Sequence, residues 1–155
     1  MGAHRSTGMS PVRLPLFQSL LLLLARLGLG GKDAPGARGE SLAAKFLEAQ
    51  GYQIECRNFR IKGGEADIIA THGGLVVVVE VKTRSSGRFG SPAQAVDGRK
   101  GRRVIRAGRA YCRTKGLSLS RLRGDLVAVE LPPGGGDPEI RHYQGALTDS
   151  DRGKR

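Results

Sequence analysis

The chain has 155 residues and carries 26 Lys and Arg residues against 14 Asp and Glu residues, a formal net charge of +12. This length accommodates one domain with a modest core, and the charge favours an anionic partner such as nucleic acid. The lack of Trp and an aromatic content of 5% argue against a base-stacking platform for single strands. Cys56 and Cys112 are far apart, which argues against a zinc site and favours a reducing, cytoplasmic compartment.

Residues 1–36 form a Leu-rich extension followed by a Gly- and Pro-containing linker. The apolar run Leu20–Leu24 is preceded by Arg5 and Arg13, but it is shorter than the ~20 residues that span a bilayer. No small-residue cleavage site is evident. Three interpretations stay open: a dispensable or misassigned extension, an interfacial or self-associating helix, and a secretory signal. A membrane-embedded protein is disfavoured.

Residues 37–148 are predicted to form one α/β domain, and residues 149–155 a disordered tail. Apolar periodicity and turn signals predict, in chain order, these elements: a helix at Arg38–Gln50, strands at Tyr52–Ile61, Glu65–Ala70 and Leu75–Lys82, a helix from Ser91 or Pro92 to about Gly116 with Gly98 as a candidate break, and strands at Asp125–Leu131 and Glu139–Tyr143. The order α-β-β-β-α-β-β predicts a central mixed sheet flanked by helices.

The most informative pattern is Asp67 followed by Glu80-Val81-Lys82 at the polar end of an all-Val strand. Because side chains alternate along a strand, Glu80 and Lys82 project from one face. Crowded carboxylates repel each other, and Mg²⁺ relieves such repulsion by binding one or two carboxylates with waters and phosphate oxygens. The pattern therefore favours a metal site. The alternative is an ordinary sheet face with Glu/Lys pairs.

The hairpin between the second and third predicted strands sets which carboxylates meet. If Ala70 pairs with Leu75, Glu65 lies opposite Glu80, and Asp67 lies one diagonal step from Glu80. All three acids and Lys82 would then share one surface.

The second predicted helix is strongly basic, with ten Lys or Arg residues and no acid between residues 99 and 123. Members of this block spaced 4-3-4 line one helix face, and they are Arg102, Arg106, Arg109 and Arg113. A helix face of a single charge sign favours phosphate contacts over a plain solvated surface. Such contacts hold a backbone without selecting a sequence. The polar, Gly-containing loop 83–90 is also typical of a functional loop.

Glu40 lies in the first turn of the first predicted helix, where a carboxylate stabilises the helix dipole. It also borders the core-facing stripe through Ala43, Ala44 and Leu47, from which it could reach a metal on the sheet. Both interpretations stay open.

Motifs in the same order resemble the YraN-like family of uncharacterised bacterial proteins. They are Gly39-Glu40 with Ala43-Ala44, Gly51-Tyr52, Arg57-Asn58, Gly64-Glu65-x-Asp67, Val79-Glu80-Val81-Lys82-Thr83-Arg84, Phe89-Gly90, and Ala95-Val96 with Lys100. The resemblance covers residues 37–146 or so. It implies a restriction-endonuclease-like core related to Holliday-junction resolvases and other PD-(D/E)XK nucleases.

The resemblance also implies a function: Mg²⁺- or Mn²⁺-dependent cleavage of DNA, including branched or junction DNA. Asp67 and Glu80 look like the metal ligands and Lys82 like the catalytic lysine, while Glu40 takes the place of the acid on the first helix. The Val81 carbonyl would add a metal ligand, and Glu65 matches a motif position.

The DNA backbone is expected to contact Arg84, Arg88, Lys100, Arg102, Arg106, Arg109 and Arg113. Resolvase-like action on symmetric junctions would favour a homodimer. The alternative function is a DNA-binding accessory module that keeps the fold without catalysis.

Overall fold

The computed structural model describes residues 35–85 and 97–149. They form helix α1 (Pro35–Ala49), strands β1 (Gln53–Ile61), β2 (Gly64–His72) and β3 (Leu75–Arg84), helix α2 (Gly98–Thr114), a 3-10 turn (Leu119–Arg121), and strands β4 (Leu122–Glu130) and β5 (Glu139–Leu147). One sheet contains the strands in the order β1-β2-β3-β4-β5. Only the β3–β4 pair is parallel. The predicted mixed sheet and its element order are confirmed.

Several sequence predictions concern residues outside these two ranges. The Leu-rich segment, the loop containing Arg88, the start of the second predicted helix and the tail from residue 150 lie outside the described residues. Within residues 35–85 and 97–149, no helix is long and apolar enough to cross a membrane.

The two helices cover opposite faces of the sheet. Val77 and Val79 of β3 belong to the same buried cluster as Leu47 of α1, whereas Val76 and Val78 belong to the cluster built around α2. A strand buried on both faces has apolar residues at consecutive positions, which explains the uninterrupted Val run.

The β2–β3 hairpin turns through two residues only. Gly73 and Gly74 both have positive φ, at 55° and 78°, as a type I′ turn requires. His72 therefore pairs with Leu75 across the turn. The strands extend further toward the turn than the sequence indicated, because two polar residues before the glycines belong to β2.

This turn corrects the predicted register. Ala70 pairs with Val77 and not with Leu75, so the predicted placement of Glu65 opposite Glu80 is wrong. The shift is two residues, which keeps the side chains of the paired residues Ile68–His72 on their predicted faces. It moves Asp67 along β3 toward Glu80 and so strengthens the predicted pairing of these two acids.

A buried polar network joins β4 to β5 near their ends. Asp125 is fully buried and accepts hydrogen bonds from Arg123 at 2.9 and 2.8 Å and from the Gly145 N–H at 2.9 Å. Its Oδ2 also lies 2.8 Å from Nε2 of His142. Arg123 extends the network by donating to the Tyr52 hydroxyl at 2.8 Å. Burial alone would raise the pKa of Asp125, but these hydrogen bonds outweigh burial and lower it.

Removing this carboxylate should destabilise the fold. Asp125→Asn is expected to reduce the free energy of unfolding at pH 7 by about 3 kcal/mol, because breaking a buried ion pair strands its partner. A lowered carboxyl pKa stabilises the fold above the ordinary value of 3.8, and that stability is lost as pH falls through the lowered value. Urea unfolding between pH 7 and pH 3 should therefore show a steeper acid loss in the wild type. The exposed loop acid Asp137 provides the control Asp137→Asn. Equal stability of Asp125→Asn and wild type at pH 7 would contradict this role.

Candidate functional site

The site begins where β2 leaves β3. The backbone ladder between these strands ends at the pair Ile68–Val79, and the side chain of Asp67 continues it by accepting a hydrogen bond from the Val81 N–H at 2.7 Å. On β1, Asn58 has a left-handed φ of 52°. Such a residue is uncommon in a strand and marks an irregularity. β2 and β3 therefore diverge beyond Ile68 and Val79. Beyond this point the Asp67 carboxylate accepts the hydrogen bond that a backbone carbonyl would accept in a continuing ladder.

The divergence also changes the faces of β2. Ala66 and Ile69 both belong to the buried cluster around α2, although residues three apart point to opposite faces of a regular strand. The face changes between these two residues, across Asp67. This local bend aims the Asp67 carboxylate at β3 and keeps it out of both apolar layers.

Glu80 is the buried member of the site, with a side chain only 5% exposed. Its Oε1 lies 2.9 Å from Nζ of Lys82. Its Oε2 is buried and has no hydrogen-bond partner among the described residues, and Nζ of Lys100 lies 3.5 Å away. Burial first and the charge of Asp67 second raise the pKa of Glu80, despite the opposing effect of both lysines. A buried carboxylate oxygen without a hydrogen bond is unusual in a folded protein and makes Glu80 a candidate functional residue.

Lys100 enters the same site from the first turn of α2. Its ammonium donates a hydrogen bond to Oε1 of Glu65, whose Oε2 lies 3.5 Å from Nη2 of Arg103. The hydrogen bond from Lys100 lowers the pKa of Glu65. Burial alone would lower the pKa of Lys100, but the contacts with Glu65 and Glu80 raise it.

The position of Lys100 differs from the sequence prediction. The sequence predicts Lys100 as a DNA contact together with the outer arginines, and the structure places its ammonium beside Glu65 and Glu80. The helical period distinguishes Lys100 from the outer arginines. Val104 and Ala107, four and seven residues after Lys100, lie on the buried face of α2, so Lys100 lies on that face as well. The high basic charge of the segment obscured that spacing.

Glu40 approaches the end of β3 from the opposite side of the sheet. α1 starts so close to β3 that a Cβ added at Gly39 would lie 2.9 Å from Cβ of Thr83. The Glu40 carboxylate lies 4.0 Å from Nη2 of Arg57, on the sheet face away from Glu80. The structure thus places Glu40 near the strand end, where its partner among the described residues is Arg57.

The donor set fits a hard divalent cation. Within residues 35–85 and 97–149, no three His, Cys, Asp or Glu side chains are grouped to hold a metal by themselves. Mg²⁺ commonly uses only one or two carboxylates and completes its shell with waters and phosphate oxygens. Asp67 lies close enough to raise the pKa of Glu80, and Glu80 offers a buried oxygen without a hydrogen bond. Zn²⁺ prefers Cys and His, which this site lacks among the described residues.

The outer side of α2 carries the arginine stripe, which comprises Arg102, Arg106, Arg109 and Arg113. Two of these arginines hydrogen-bond residues outside α2. Arg106 donates to the Gly63 carbonyl at 3.2 Å, and Arg109 donates to Asp149 at 2.6 Å. From Arg102 to Arg113 the stripe is about 17 Å long at 1.5 Å per residue.

A groove continues this surface at the C-terminal half of α2. Its volume is about 490 Å³, and its lining includes Arg109, Arg113 and Arg123 with the apolar side chains of Leu119 and Leu122. Because β4 runs parallel to β3 and Leu122 and Gly124 pair with Val76 and Val78, the groove at the start of β4 lies two to four residues before Glu80 along the strand direction. α2 therefore extends from the carboxylate cluster to a second basic region. At the cluster end, Arg84 is exposed.

Sequence relatives are numerous. A family model described as "Uncharacterised protein family UPF0102" matches residues 39–129. A UPF0102 protein of Leifsonia xyli is 46% identical over 116 residues, covering 75% of this chain and 98% of the relative. A UPF0102 protein of Arthrobacter is 46% identical over 114 residues (74% and 96%), and one of Symbiobacterium thermophilum is 46% identical over 100 residues (64% and 85%). The matched region contains both the carboxylate cluster and α2.

The raised pKa of Glu80 predicts that this residue reduces stability when no metal is bound. A carboxyl with a raised pKa stabilises the fold below its ordinary value of 4.5, and this contribution is lost as pH rises through the raised value. Glu80→Gln should therefore have a higher Tm than wild type at pH 7 in EDTA, with the difference shrinking toward pH 4. Exposed Glu48 provides the control Glu48→Gln. A Glu80→Gln variant that melts below the wild type at pH 7 would refute the expectation.

Proposed function

The chain belongs to uncharacterised protein family UPF0102, the YraN-like group, and on this premise we propose that it is a Mg²⁺- or Mn²⁺-dependent endonuclease that hydrolyses DNA phosphodiester bonds. One observation carries the proposal: Asp67 and the buried Glu80 meet beside Lys82 where β2 leaves β3. A buried carboxylate oxygen that accepts no hydrogen bond destabilises the fold, and a bound cation would compensate for the missing hydrogen bond.

Asp67 and Glu80 would hold the ion, with the Val81 carbonyl as a further ligand. When bound, the ion polarises the phosphoryl oxygen and lowers the pKa of a bound water. The hydrogen bond from the Val81 N–H fixes the Asp67 carboxylate, so the site is organised before substrate arrives.

Lys82 would position the attacking water and stabilise the negative charge that develops on the phosphate. Its ammonium is anchored on Glu80 at 2.9 Å, while 36% of its side chain remains exposed, so one lysine can contact both the buried acid and a bound phosphate. Glu40 would act from the far side of the strand end through a water molecule, with Arg57 restraining its carboxylate.

The substrate is assigned from the charged surface. The arginine stripe, Arg84 and Arg88 would contact phosphates, and 17 Å corresponds to about five nucleotides at ~3.4 Å per step along one strand. These contacts carry no base readout. Family resemblance makes branched DNA the first substrate to test, with a homodimer as the acting form on symmetric junctions. The two free cysteines suit action in a reducing cytoplasm.

The second candidate is a DNA-binding module without turnover. It is favoured by the ion pairs that already balance the acids: Glu80 with Lys82, and Glu65 with Lys100 and Arg103. Calorimetry separates the two functions, because only the nuclease requires Mn²⁺ binding that depends on Asp67 and Glu80.

Cleavage should depend on the site and not on DNA affinity. Asp67→Asn and Lys82→Ala are each expected to slow Mg²⁺-dependent cleavage by at least about 100-fold, or roughly 2.7 kcal/mol of transition-state stabilisation, with salt-sensitive DNA binding retained. The assay is single-turnover cleavage of branched and linear DNAs. Asp137→Asn serves as the matched control and should cleave like the wild type. Equal rates for wild type, Asp67→Asn and Lys82→Ala would exclude the proposed site.

Binding should depend on the stripe. Neutralising the two exposed members of the stripe, in the double variant Arg106→Gln/Arg113→Gln, should reduce the slope of log K against log salt by about 1.8, at ~0.9 per phosphate contact. The loss should be similar for all DNA sequences. Lys45→Gln, on the exposed side of α1, controls for net charge. A double variant with the wild-type slope would remove the stripe from the interface.

A further inference from the structure

The Glu80-Val81-Lys82 motif contains one lysine, and Lys100 of α2 brings a second lysine to the same site. Lys82 contacts Oε1 of Glu80 at 2.9 Å, whereas Lys100 faces Oε2 at the longer distance of 3.5 Å and hydrogen-bonds Glu65. The two lysines thus flank one buried carboxylate from different elements, one on β3 and one on α2. Of the contacts that the two lysines make with these acids, the one between Lys100 and Glu80 is longer than the usual hydrogen-bond distance.

The charges of the cluster balance without any added ion. Three acids, Glu65, Asp67 and Glu80, are matched by three cations, which are Lys82, Lys100 and Arg103. A divalent ion at Glu80 would create an excess of two positive charges beside a carboxylate whose side chain is only 5% exposed. Because like charges a few ångströms apart repel strongly in such surroundings, one resident ammonium must retreat from Glu80.

Lys100 is the cation that can retreat. Its link to Glu80 is the longer one, and its hydrogen bond to Glu65 provides a second anchor. Its flexible four-carbon stem lets the ammonium move while the backbone of α2 stays in place. Arg103 holds the other oxygen of Glu65 at 3.5 Å, so that this anchor stays in position.

We propose that Lys100 is a built-in counter-ion that competes with the divalent ion for Glu80 and, once displaced, turns its ammonium toward the substrate phosphate. This inference rests on the proposed metal site and adds a positioning residue to it. In the metal-free protein Lys100 neutralises Glu80, and with metal and DNA bound the same charge faces the phosphate. The exchange couples metal entry to substrate binding.

The test is Mn²⁺ binding without DNA, measured by calorimetry. Lys100→Met keeps most of the apolar stem and removes the charge, so it should bind Mn²⁺ about tenfold more tightly than wild type, a typical coupling between sites. Glu65→Gln should act in the opposite direction, because Lys100 released from Glu65 can pair fully with Glu80. The charge control is Lys45→Met, which changes an exposed side chain of α1, and this variant should bind Mn²⁺ like the wild type.

A second measurement separates this role from a structural one. At saturating Mn²⁺, Lys100→Met should cleave DNA more slowly than wild type even though it binds the ion more tightly. Lys100→Arg, which restores the charge, should recover most of that rate. Thermal shifts on adding Mn²⁺ confirm that each variant is folded, and they should be larger for Lys100→Met than for wild type.

The outcomes distinguish the two proposals. If wild type binds Mn²⁺ and cleaves DNA but Lys100→Met binds the ion equally or less tightly, the counter-ion role is overturned and the nuclease stands. If neither protein binds Mn²⁺, the metal site itself is absent and both proposals fall. Tighter binding with a slower rate supports the exchange.

Discussion

The hydrogen bond from the Val81 N–H to the Asp67 carboxylate is the contact on which the candidate site depends. Where two antiparallel strands separate, the backbone groups of the continuing strand lose their partners and must find others. Here the acid supplies the acceptor, so one side chain both ends the β2–β3 ladder and marks the entrance of the site. The neighbouring Glu80 then lies beside a second carboxylate in a place that water barely reaches. A site with two close acids is a direct product of this strand divergence.

Cationic side chains of α2 offset the electrostatic repulsion between the acids of the site. Glu80 is buried on the sheet face that α2 covers, and Lys100 with Arg103 brings positive charge to Glu65 and Glu80 from the first turns of the helix. The same helix packs its apolar side on β2, β3 and β4 and presents arginines to solvent. One helix thus supplies core packing, neutralises the buried acids and carries the solvent-facing arginine stripe. A change that shifted α2 along the sheet would alter all three together.

The sequence predicted the sheet, both helices and the faces of the strands, because the Val run and the helical spacing each specify a period. It also predicted that Asp67, Glu80 and Lys82 share a site. It missed the register of the hairpin, since Thr71 and His72 are polar and look like turn residues although they belong to β2. It missed the inward position of Lys100 within a helix that is basic on several sides. The buried pair of Asp125 and His142 gave no signal either, because long-range polar pairs depend on how strands assemble.

The two buried acids of this protein contrast in a way that separates structure from function. Asp125 accepts hydrogen bonds from Arg123 and Gly145, contacts His142, and has a lowered pKa. Glu80 keeps an oxygen without a hydrogen bond and has a raised pKa. Both lie in one sheet of one domain, so burial alone does not explain the difference. An acid that serves the fold has its oxygens satisfied by the protein, whereas an acid that serves a ligand keeps an oxygen for it. This contrast supports the proposed assignment of Glu80 to a metal site, and Nζ of Lys100, 3.5 Å from the oxygen without a hydrogen bond, lies where the charge of a bound cation would act.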